Sequence, residues 1–114
     1  EVLQESIDIE YSNLQDGKIS PSEYIIITEV TSSQVTTQIS EFVTSKPSEK
    51  WQESYISYMN GMKKFNEYII ETKVLANQIE NESADTKISE TVNKIEAIKL
   101  ESIEHIKKSN ELRP

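Results

Sequence analysis

Apolar side chains recur along this chain at helical spacing, and the recurrence divides it into four segments. In the first, Val2 to Gln15, the residues Leu3, Ile7, Tyr11 and Leu14 follow at steps of four, four and three, which sets them on one helical face. Gly17 then suits the left-handed position past a helix end. Ser20-Pro21-Ser22-Glu23 supplies a hydroxyl cap, a first-turn proline and a glutamate three residues after the cap, a capping box that opens the second helix. That helix runs from Pro21 to Thr44, with Tyr24, Ile27, Thr31, Val35, Ile39 and Phe42 as its core face. Its β-branched runs, Ile25-Ile26-Ile27-Thr28 and Val35-Thr36-Thr37, also suit a strand. Helix is the better reading, because no turn residue interrupts the segment and a strand of that length is improbable.

The third segment, 47–80, opens at Pro47 with Lys46 or Ser48 near its cap. Trp51, Tyr55, Tyr58, Met62, Phe65, Ile69, Thr72, Ala76 and Ile79 alternate steps of four and three, a heptad seam that predicts a long helix packed on other helices. Ile56, Met59 and Ile70 widen the stripe, which favours a bundle over a two-stranded coil. Gly61 within it implies close packing or a bend. Ser83 caps the fourth segment, 84–112, whose core face is read as Ala84, Ile88, Val92, Ile95, Ile103 and Ile106 at straight-helix spacing. A strict heptad from Ile88 would put Lys99 and Ser102 inside, so a straight helix flanked by Ile98 and Leu100 is expected. Lys107 and Lys108 suit its C-terminal dipole.

The expected fold is therefore all-α: one domain over 1–114, an antiparallel up-down four-helix bundle with a short first helix. Hydrophobic content of 35% and charged content of 28% leave disorder open on composition alone, and the periodicity decides against it.

Composition then narrows the chemistry. With no Cys there is no disulfide frame, zinc–thiolate site or thiol nucleophile. Two glycines cannot form a phosphate-cradling loop. A net charge of -8 argues against nucleic acid. No apolar run approaches the length of a membrane span. Residues 1–50 hold nine acids and three bases, so the first two helices offer an acidic surface to a basic partner, with plain solubility the commoner meaning of such charge. No cofactor is expected and no catalytic residue stands out. His105, the single histidine, has Glu101 and Glu104 nearby but lacks the Glu-x-x-His motif of bundle metal sites. Asn81-Glu82-Ser83 fits the N-glycosylation pattern, which arises often by chance.

Two constellations remain. Residues 12–23 resemble, in their second half, the calcium loop of EF-hand proteins: Asp16, Gly17, Ile19 and Glu23 match, and the backbone of Lys18 would supply a carbonyl. The resemblance implies Asp16, Lys18 and Glu23 as ligands, but Ser12 and Leu14 stand where two further ligands belong, and the capping box accounts for the same residues without an ion. Five of the eight aromatics lie between Trp51 and Tyr68, and Trp51, Tyr55 and Tyr58 are the candidate lining of a ligand pocket, with Glu53 as an acidic neighbour. The function expected is that of a non-catalytic interaction or scaffold module, binding a protein partner through a helix face. The alternative is a ligand-sensing ectodomain, since length and helix count look like the four-helix-bundle input domains of membrane chemoreceptors and kinases. A chain starting at Glu1 with a solvated acidic surface is the sole ground for expecting an extracytoplasmic place.

Overall fold

The computed structural model describes residues 2–114, with side chains from Gln4 onward, so Leu3 of the first apolar face lies outside the described side chains. The described residues form four helices and no strand: α1 (Val2–Gln15), α2 (Pro21–Thr44), α3 (Gln52–Glu80) and α4 (Asp85–Glu111), with a single 3-10 turn at Glu49–Trp51 before α3.

Local chemistry sets each boundary. α1 ends in paired backbone bonds, Gly17 N–H to Leu14 O and Lys18 N–H to Asn13 O, with Gly17 at φ 72°. α2 starts on the expected capping box: Ser20 Oγ accepts from Glu23 N–H, and the Glu23 carboxylate reaches back to Ser20. The β-branched residues of α2 are accommodated because Thr28, Thr31, Thr37 and Thr44 donate their hydroxyls to carbonyls of the preceding turn. Pro47 disfavours helical geometry at Lys46, so α2 stops short of it.

Two boundaries differ from expectation. The α-helix begins at Gln52 rather than at Pro47, because Trp51 N–H bonds to Ser48 O and closes a tight turn first. Ser83 does not cap α4. Its N–H is held by Gln78 O in the closing motif of α3, with Glu82 in the left-handed region at φ 54°, and Ala84 takes the cap position without a side-chain bond.

α3 is the central helix, packed against α2 on one side and most closely against α4 on the other, while α1 lies over α2 and α3. It manages this with two adjacent seams. Met62, Phe65, Ile69, Thr72 and Ala76 are buried as expected, and Tyr24–Thr72 and Ser32–Asn66 hydrogen bonds tie this side to α2. The second seam, Ser54, Ser57, Gly61, Tyr68 and Leu75, is also buried. It meets α4 through Ser54 Oγ to Ser109 O and Ser109 Oγ to Ser54 O, both 2.8 Å, and Ser102 Oγ to Gly61 O at 2.8 Å.

The α4 face is therefore a heptad after all. Thr91, Ile95, Ser102 and Ser109 are its buried positions, whereas Ile103 and Leu100 are exposed and Ala84 lies outside the core. Serine can occupy the seam because each hydroxyl finds a carbonyl on the facing helix, which removes the cost of burying it. The stripe expected to widen the core on α3 points outward: Ile56 and Ile70 are exposed, as is Trp51 at the seam's start. Among the described residues no helix is long and apolar enough to cross a membrane.

Candidate functional site

α1 lies over α3, between α2 and α4. Gln4, near its start, stands with Ile103, Ile106, Lys107 and Asn110 of α4.

α1 is seated by Ile7 and Leu14, both buried, and by a cluster of tyrosines. Tyr68 donates to Asp8 Oδ1 at 2.8 Å, and Lys99 Nζ stands 3.3 Å from Asp8 Oδ2 and 5.8 Å from the centre of the Tyr68 ring. Tyr24 donates to Thr72 Oγ1, which donates in turn to Ile69 O. Tyr11 packs its ring against both tyrosines, but its buried hydroxyl has no hydrogen-bond partner among the described residues.

Burial, and then the Glu96 charge, pushes the Tyr11 hydroxyl up to about 12 from its ordinary 10. Burial also raises Tyr24 and Tyr68, the latter further through its bond to Asp8. The folded state thus keeps these protons at pH values where the unfolded chain releases them. The stability they hold is complete below pH 10 and falls as pH rises from 10 through 12. The midpoint of guanidinium unfolding is expected to drop over that window, and to drop less in a Tyr11→Phe variant.

A groove of about 400 Å³ is lined by Phe42 of α2, by Trp51 of the 3-10 turn, by Ser54, Tyr55 and Tyr58 at the start of α3, by Ser109 of α4 and by Arg113 just past its end. The rings form a connected set: Phe42 to Tyr58 is 4.8 Å between centres, Phe42 to Tyr55 5.5 Å and Trp51 to Tyr55 6.5 Å. A second cavity, of about 410 Å³, shares Phe42 and Tyr55 and is walled by Val43, Pro47, Ile56 and Met59. The structure thus brings Trp51, Tyr55 and Tyr58 together, while Glu53 is exposed and absent from the lining. Phe42, Ser109 and Arg113 join them from elements distant in sequence.

Asp16 and Lys18 lie in the connection between α1 and α2, and Glu23 in the first turn of α2. Residues 12–15 are still α1, Glu23 already belongs to α2, and its carboxylate is engaged by Ser20. Among the described residues no three His, Cys, Asp or Glu side chains are grouped to hold a metal ion. His105 is half-buried, with its Cβ against Gly61. The chain matches no protein-family model, no curated protein and no solved structure.

Proposed function

We propose that this protein is a non-catalytic binding module that takes an amphipathic helix of a partner protein into its aromatic groove. The observation that carries this reading is that groove of about 400 Å³ between α2, the start of α3 and the end of the chain's last helix. α1 is a template for the occupant: a helix presenting Ile7, Tyr11 and Leu14 already packs over the same central helix. Arg113, in the groove's lining just past α4, favours an acidic residue on the rim of the incoming helix. Aromatic side chains and arginine are the residue types that concentrate binding energy at interfaces.

The test is site-specific photo-crosslinking in the source cell, with benzoylphenylalanine at Trp51 or at the distant, exposed Ile26. One partner protein joined from Trp51 and not from Ile26, and lost on Phe42→Arg, is the expected result. Equal labelling from both positions overturns the reading. The same groove supports a second reading, a ligand-sensing domain, since ring faces beside a guanidinium suit a small aromatic anion. Benzoate and its homologues raising the melting temperature, with no protein adduct at Trp51, would put that reading first.

A further inference from the structure

The side of α3 turned away from α1 carries a second feature, which reaches the cavity beside the aromatic groove at Ile56 and Met59. Ile56, Lys63, Glu67, Ile70 and Val74 follow at steps of seven, four, three and four, and so lie in one stripe along the helix. Ile56 is 53% exposed, Ile70 48% and Val74 37%, with Met59 beside them half-buried. Ion pairs border the stripe on both sides, Lys64–Glu101 and Lys94–Glu71 toward α4 and Lys73–Glu29 toward α2. Apolar side chains interrupted by one basic and one acidic residue, between charged margins, are the composition of a helix-pairing surface with charge-set register.

Most of the stripe is self-complementary. About the level of Phe65, Ile56 mirrors Val74 and Lys63 mirrors Glu67, while Ile70 mirrors Asn60. A second copy turned about a twofold axis at that level sets each Ile56 against a Val74 and each Lys63 against a Glu67, four favourable contacts. Lys63 is exposed and has no ion pair within its own chain among the described residues. Glu67 shares its one cation, Lys64, with Glu101, which leaves it able to take another. The molecule measures 50 × 24 × 18 Å, and its broad side is large enough for the roughly 800 Å² per partner that a stable interface needs. We propose that a second copy of this chain binds here, α3 against α3 and antiparallel, leaving the aromatic groove free.

Sedimentation equilibrium of the whole chain, from micromolar to about millimolar concentration, tests this. The wild type is expected to dimerise. Lys63→Glu and Glu67→Lys each place like charges at both ends of the contact and are expected to weaken the dimer at least about tenfold. In an equimolar mixture of the two variants, the two glutamates of one chain face the two lysines of the other, so opposite charges meet at both ends. That mixture is expected to recover the wild-type constant. Both changes are on the surface, and circular dichroism confirms that each variant is folded. A wild type that stays monomeric throughout overturns the proposal, as do single variants that dimerise like the wild type or a mixture no tighter than either variant alone.

Discussion

Gly61→Leu is expected to destabilise the protein by about 3 kcal/mol, the upper range for overpacking, whereas Gly61→Ala is expected to change stability by about 1 kcal/mol or less. A Cβ at Gly61 would lie 2.5 Å from Cδ1 and 2.9 Å from Cγ1 of Ile106, and 3.3 Å from His105 Cβ. Alanine asks the half-buried Ile106 side chain to turn aside and α4 to yield by a few tenths of an ångström at His105 Cβ, and the gain of about 1 kcal/mol in helix propensity offsets those shifts. Leucine has a branch to place as well, and the space beyond is α4 itself. Moving α4 outward stretches Ser102 Oγ from Gly61 O and loads the reciprocal Ser54–Ser109 pair, which would leave buried hydroxyls and carbonyls without partners. Against a total stability of about 5–15 kcal/mol, urea unfolding resolves such a loss easily. A leucine variant as stable as the wild type would show that the two helices do not approach closely at this level.

The same seam shows where sequence reasoning reached its limit. Four helices, most of their ends and the α2-facing side of α3 were legible because their causes are local: the Ser20–Glu23 box, Gly17 past α1 and apolar spacing from Met62 to Ala76. The α4 seam was misread because Ser102 and Ser109 look like surface residues in isolation. What makes them interior is a set of carbonyls on α3, which belongs to the partner helix and leaves no mark in the hydropathy of α4. The available signal was positional: Ile88, Ile95, Ser102 and Ser109 repeat every seven residues, and Ser54 and Gly61 repeat at the same interval on the facing helix. Ile103 and Leu100 were drawn inward by hydrophobicity alone, although their angular position faces away. The aromatic groove was half legible for a similar reason. Trp51, Tyr55 and Tyr58 are near one another in sequence, whereas Phe42 and Arg113 arrive through the packing of α2 and α4.

The tyrosine cluster that seats α1 should separate ring from hydroxyl. Tyr68→Ala is expected to cost about 4 kcal/mol, as for other buried aromatic truncations, because the ring is 1% exposed and touches Tyr11 and Phe65. Tyr68→Phe keeps those contacts and removes only the bond to Asp8, at an expected cost of about 1 kcal/mol. The cost is small because the Asp8 side chain is 32% exposed, so water replaces the lost donor, and Lys99 still faces the carboxylate. Tyr11→Phe is expected to go the other way, neutral or stabilising by up to about 1 kcal/mol, since its buried hydroxyl has no partner to lose among the described residues. Chemical denaturation of the three variants gives the ordering directly, and hydrogen exchange places the effect. In Tyr68→Ala the amides of α1 should exchange faster than those of α3 and α4, because α1 rests on that ring while the rest of the α3–α4 seam keeps its Ser54–Ser109 and Ser102–Gly61 bonds. Equal losses for Tyr68→Phe and Tyr68→Ala would mean that the hydroxyl, and not the ring, holds the first helix in place.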